Sequence, residues 1–272
     1  MGTTFCRATL NYIPGGDLSH PGSHEVEIRD ARRAVLPGWE ACGFELVAHR
    51  SAVQDWSNED ELSRVHHAEM AALAETMTGC DLALVSGHIK RSPVEAARHH
   101  DLGPITLVHS DFADSYGDLL RARYRSPDGE FRRSLDDAGI TADDVANARR
   151  LVILQFWRNL GPEKMDLPLA FCDARTVGRD EIHAFPVTNY AGGGFDFEAL
   201  GVVSPADARS HEWYAFPELR IDEVVAFRTY DSERVASGEP YWTPHSAFRD
   251  PEVRLGEPSR SSIELRATCL FS

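Results

Sequence analysis

From Ile105 onward the 272-residue chain breaks into short β-prone segments. They are ITLVHSD (105–111), LVILQFW (151–157), LPLAFCDART (167–176), EIHAFPVTNY (181–190), EWYAFPEL (212–219), EVVAFRTYD (223–231) and SSIELRATCLF (261–271). Strands this short and this regularly punctuated by turn residues predict a sandwich or barrel. Earlier residues read differently. Ser57-Asn58-Glu59-Asp60 has the pattern of a capping box, opening a helix that runs to Gly79. CDLALVSG (80–87) reads as a strand, and Ser92-Pro93 opens a short helix. TADDVANARR (141–150) reads as a further capped helix, and the glycines 192–194 as a flexible loop. The expectation is an α+β chain with a mostly β core, organised as a single domain over 1–272. A helix-rich part, about 1–104, would pack outside a core of about 105–272.

Charge narrows the partners. With 43 acidic against 28 basic residues the formal net charge is −15, which disfavours nucleic acid, whose phosphates demand a basic footprint. No apolar run approaches a membrane span. The N-terminal MGTTFCRATLNYIPGG has no basic region followed by an apolar stretch, so no secretory signal is expected. Five scattered cysteines without a Cys-x-x-Cys pair argue against a disulfide framework and for a reducing, cytoplasmic setting. A small-molecule partner is the expectation, and a homo-oligomer stays open.

The segment TLVHSDF raises the chemical question. His-x-Asp occurs at His99–Asp101 and at His109–Asp111. Residues two apart diverge on a helix but share a face on a strand. The first pair sits at a helix tail and is read as a solvated helix end, unsuited to sharing one ion. The second ends a strand, so both side chains can address one small ion. His183, His211 and His245 are candidates for a third ligand. On the last strand Arg260, Ser262, Glu264 and Arg266 alternate, and therefore share a face opposite Ile263, Leu265, Ala267 and Cys269. A buried arginine is costly unless it meets an anion, and Arg260 beside Ser262 suits a carboxylate.

In this combination the chain resembles the Fe(II)/2-oxoglutarate-dependent oxygenases, as His109-x-Asp111, His245 and Arg260-x-Ser262. The blocks GWEACGFELVAHRSAV, WRNLGPEKMDLPLAFCDARTV, HEWYAFPELRIDEVVAFRTYDS, PHSAF and RSSIELRA are similar to the hydroxylase/desaturase family. That family includes a cephamycin-pathway hydroxylation component and fungal secondary-metabolite oxygenases. Asn159 departs from the usual Trp-Arg-Pro, which bears on the local turn. The resemblance implies a double-stranded β-helix, or jelly roll, with Fe(II) held by His109, Asp111 and His245. It favours His245 over His211. It also implies 2-oxoglutarate held by Arg260 and Ser262, O2 as co-substrate, and hydroxylation or desaturation of a small secondary metabolite, such as an antibiotic precursor. Arg158 and Arg266 are added as residues that could contact co-substrate or substrate, Arg158 with Asp173 and Arg266 with Glu264 as competing ion-pair partners. Two other readings compete: a metal-dependent cupin-like enzyme without 2-oxoglutarate, and a non-catalytic accessory subunit. Iron content and succinate production separate the three.

Overall fold

The computed structural model describes residues 3–14, 22–126, 129–205, 207, 209–257 and 259–272. Among these described residues there are thirteen strands: β1 (Thr4–Tyr12), β2 (Gly22–Asp30), β3 (Phe44–Ala48), β4 (Leu82–Arg91), β5 (His109–Ser110), β6 (Arg150–Asn159), β7 (Leu169–Cys172), β8 (Ile182–Tyr190), β9 (Phe195–Val202), β10 (Trp213–Ala215), β11 (Glu223–Asp231), β12 (His245–Ala247) and β13 (Ser262–Phe271). They form an eight-stranded sheet, β1-β2-β10-β7-β12-β5-β9-β8, and a five-stranded sheet, β3-β11-β6-β13-β4. Neighbours are antiparallel except β2 and β10. The two sheets share one core. Leu10, Val26 and Cys172 of the larger sheet pack with Leu151, Ile153 and Leu270 of the smaller.

Alternation along β6 and β13 decides what faces that core. Leu151, Ile153 and Trp157 point inward, while Val152, Leu154 and Phe156 point outward onto Met70 and Ala74 of the helix His67–Thr78. Fully burying such a residue contributes about 1.5–3 kcal/mol, so this helix seals the outer face of the small sheet.

The first third is less helical than its sequence suggested. β1 and β2 extend the large sheet, and β3 and β4 form the two edges of the small one. The signal was period-2 burial at Ala8, Leu10 and Tyr12 and at Val26 and Ile28, interrupted by exposed polar residues. The expected helix to Gly79 is present, but its cap is Asn58, which accepts from the Glu61 amide, and a π-turn (Leu62–His66) interrupts it. Ser92 and Thr141 cap as expected, Thr141 with Asp144 in a reciprocal box. The glycines 192–194 lie in the β8–β9 turn, where Gly192 and Gly194 adopt φ of 74° and 69°.

Candidate metal and carboxylate site

Strand pairing assembles the triad. β12 lies between β5 and β7, and His245 stands directly opposite His109. Their rings are 4.4 Å apart, and Phe227 packs edge-on against His245 at 4.9 Å. His109 and Asp111 emerge on one side of the chain, so ligand atoms of His109, Asp111 and His245 all lie within 4.8 Å of one another. Each histidine Nδ1–H donates to a carbonyl two residues back, His109 to Leu107 at 2.8 Å and His245 to Thr243 at 3.0 Å. Both Nε2 atoms therefore carry their lone pairs inward. Gly43 (φ 98°) lets the chain approach Thr243, because a Cβ there would collide with the Thr243 hydroxyl.

Asp111 is divided between two tasks. Oδ2 accepts from Arg266 Nη2 at 2.7 Å and Nε at 3.2 Å. Oδ1 lies 3.6 Å from the Nε2 of each histidine. Burial alone would raise the Asp111 pKa, but Arg266 chiefly, then His245 and His109, hold it well below the usual carboxylate range. Burial, then the neighbouring His245, pushes His109 down to about 4. Two imidazole Nε2 atoms and one carboxylate oxygen converge on a point with one side left open, which suits Fe(II).

A second group lies across a small polar cavity lined by His109, Asp111, Gln155, His245, Arg260 and Glu264, among others. Arg260 is 3% exposed, and its Nε donates to Ser262 Oγ and its Nη1 to Leu167 O, both at 3.3 Å. Its guanidinium lies 5.0 Å from the Trp157 ring, and Asp166 accepts from its backbone amide. Among the described residues no carboxylate reaches ion-pair distance of Arg260. Burial, then repulsion from Arg91, pushes its pKa down to about 9. Gln155 Oε1 and Trp157 Nε1 are buried without hydrogen-bond partners. A buried cation short of an anion, beside a hydroxyl, fits one carboxylate of a small dicarboxylate such as 2-oxoglutarate.

The alternating face of β13 is as the sequence indicated, and it is the inner face. Glu264 pairs with Arg91 at 2.9 Å and lies 3.7 Å from Arg266, whose closer partner is Asp111. Arg158 is a correction. It lies opposite Ile263 on the outward side of β6, donating to the carbonyls of His49 and Ile221 and stacking 5.4 Å from Trp56. A residue on that side contacts neither the triad nor Arg260, and Asp173 pairs instead with Arg175. His211 is also remote, bonded to Tyr12 and Glu181. Asp231 caps the helix Ser232–Ser237 and pairs with Arg150. Asn159 ties its own turn through the Gly161, Pro162 and Leu219 carbonyls. His99, His100 and Asp101 do bring ligand atoms within 4.8 Å, against expectation, because His99 (φ −153°, ψ 135°) has already left the helix. Gln155 and Arg91 were not singled out from sequence; the shared face of Gln155 and Trp157 was the available signal.

A larger cavity of about 540 Å³ opens from His109, Asp111 and Arg266. Much of its wall comes from regular elements rather than loops. Tyr116, Leu120 and Arg123 come from the helix Tyr116–Arg125, Phe131 from the helix Gly129–Ala138, and Tyr190 and Phe197 from the β8–β9 hairpin.

A family model described as "Oxidoreductase/YMDC permease-like domain" matches residues 11–270. No helix among the described residues is long and apolar enough to cross a membrane. The chain is 34% identical over 287 residues to the Fe(II)/2-oxoglutarate-dependent dioxygenase nvfI of Aspergillus novofumigatus, covering 96% of this chain and 84% of the relative. It is 27% identical over 241 residues to the hydroxylase/desaturase CTB9 of Cercospora beticola, covering 82% and 69%. The fold matches a solved structure of the iron and alpha-ketoglutarate-dependent endoperoxidase NvfI, with a TM-score of 0.74 over 99% of both chains at 22% identity. With a jelly-roll fold and a His-Asp-His cluster suited to iron, the chain belongs to the Fe(II)/2-oxoglutarate-dependent dioxygenase and hydroxylase/desaturase family.

Proposed function

We propose that this enzyme hydroxylates or desaturates a small, largely apolar secondary metabolite, with His109, Asp111 and His245 holding Fe(II) and Arg260 with Ser262 holding the far carboxylate of 2-oxoglutarate. Iron, 2-oxoglutarate and O2 supply the oxidising chemistry, with succinate and CO2 leaving. The protein's part is geometric. Leu107 and Thr243 fix the imidazole tautomers, and Arg266 keeps Asp111 ionised with one oxygen turned inward. The aromatic wall of the larger cavity excludes water from the substrate side. Arg266 acts through Asp111, and Arg158, on the outward side of β6, takes no part in the site.

The observation that carries this reading is Arg260, a buried cation facing the triad's cavity without a carboxylate partner among the described residues. A cupin-like enzyme without 2-oxoglutarate has no use for it, and an accessory subunit has no use for an open triad. A reducing, cytoplasmic setting belongs to the same reading, from five scattered cysteines without a Cys-x-x-Cys pair. The test is an anaerobic titration with Fe(II) and then 2-oxoglutarate, followed by the visible band of the chelate. The band is expected in the wild type and lost in His245→Ala. Bound metal without the band would favour the cupin-like reading, and no bound metal the accessory subunit.

A further inference from the structure

Among the described residues, one arginine of the larger cavity has its charge left over. Three arginines line it. Arg91 is paired with Glu264 and Arg266 with Asp111, so each is neutralised locally. Arg123 is different. Its guanidinium lies 4.3 Å from the Phe131 ring and 4.1 Å from the Phe195 ring. Among the described residues it has no carboxylate partner and no hydrogen-bond acceptor. Two aromatic rings, on two other elements, flank it, and among the described residues no acceptor meets its N–H edge, which is the arrangement that takes an anionic oxygen group in two parallel hydrogen bonds.

Its position gives a length. Tyr116 and Arg123 are seven residues apart on one helix, hence on one face and about 10 Å apart along the axis. Tyr116 is at the metal end, stacked 3.5 Å from Phe112, which in turn lies 5.4 Å from the Arg266 guanidinium beside Asp111. Between those ends the wall is mostly apolar, with Leu120 and Phe197 among its residues.

We propose that Arg123 is a substrate-recognition residue. The substrate class is a largely apolar scaffold bearing one carboxylate or comparably acidic oxygen group, set about two helical turns along the cavity wall from the metal end. This rests on the oxygenase reading and deepens it by naming the group recognised at the far end of the cavity.

A matched pair of fluorescent probes tests it on the full chain loaded with Fe(II) and 2-oxoglutarate under anaerobic conditions. One is 1-anilinonaphthalene-8-sulfonate; the other is N-phenyl-1-naphthylamine, the same skeleton without the anion. Wild type is expected to bind the sulfonate saturably and to prefer it to the neutral probe. Arg123→Gln is expected to lose about tenfold in sulfonate affinity, the worth of one half-exposed charge-assisted contact. Its affinity for the neutral probe should stay within twofold. Arg123→Lys should keep part of the preference. No saturable sulfonate binding to wild type, or equal losses for both probes in Arg123→Gln, would overturn the proposal. The chelate band of the same samples separates the two failures. Its absence in wild type sinks the oxygenase reading, while its presence with no charge-dependent loss sinks only the role of Arg123.

Discussion

Replacing Arg260 by methionine separates a co-substrate anchor from a structural arginine. In the protein without co-substrate, Arg260 is a nearly fully buried charge held by two long hydrogen bonds and an aromatic face, with its pKa pushed down to about 9 by burial and then by Arg91. Methionine keeps a stem of similar length and a sulfur over Trp157, and leaves the Leu167 carbonyl and the Ser262 hydroxyl each short of one long, weak donor. The variant without co-substrate should therefore match wild type to within about 1–2 kcal/mol, or exceed it. Binding should respond oppositely. Stripping a buried carboxylate of its cation costs about 3–5 kcal/mol, a loss between about a hundredfold and a few thousandfold. At a 2-oxoglutarate concentration near 100 Kd, the Fe(II)-loaded wild type gains about 2.7 kcal/mol, or roughly 5–10 °C in melting temperature. The same concentration should move Arg260→Met by about 1 °C or less. Anaerobic thermal melts with and without 2-oxoglutarate read both quantities. A variant that is strongly destabilised by itself yet keeps the full ligand shift would refute the assignment, because the guanidinium would then be supporting the fold.

Two further outcomes follow from particular contacts. Arg266→Gln removes the fork on Asp111 Oδ2 and should weaken Fe(II) binding about 10–100-fold, measured by competition with a coloured chelator; unchanged affinity would mean that Asp111 is oriented without it. His66 is 2% exposed, and burial, then the charges of Arg158 and nearby histidines, pushes its pKa down to about 2. Its folded pKa is depressed below the unfolded value of about 6.5, so the unfolded chain binds a proton that the folded chain refuses. Stability should fall as pH drops below about 6, by up to about 1.4 kcal/mol per pH unit. Urea titrations should show a flatter dependence in His66→Gln, and equal slopes would remove His66 from the account.

The parts of the site that were legible in the sequence depend on short-range geometry. His109-x-Asp111 could be read because two residues of extended chain share a face. Arg260, Ser262, Glu264 and Arg266 could be read because they continue that rule over one long strand. Alternation says which residues share a face, but not which face looks inward. Arg158 was misplaced for that reason. Only the register of β6 against β13, with Trp157 opposite Glu264 and Arg158 opposite Ile263, shows that it points away. His245 needed the resemblance, since its place opposite His109 depends on β12 entering between β5 and β7. Arg123 had no local signal, because the rings that hold it come from a second helix and from β9.

The buried arginines show why composition could not have ranked them. Arg228 is wholly buried, and its donors reach four backbone carbonyls, those of Trp39, Glu40, Pro240 and Tyr241. Arg158 has two carbonyls and an imidazole nitrogen. Each of these charges is solvated by backbone dipoles and braces the fold where it stands. Arg260 has one carbonyl and one hydroxyl, each at the long end of the hydrogen-bond range. A guanidinium that lines a cavity and whose donors are not saturated by its own protein implies a ligand that will saturate them. Arg158 also keeps one unbonded donor, its buried Nε, but on the outward side of β6, away from the triad. The deficit and the place on the triad's cavity together mark Arg260 as the arginine through which co-substrate binding should be felt.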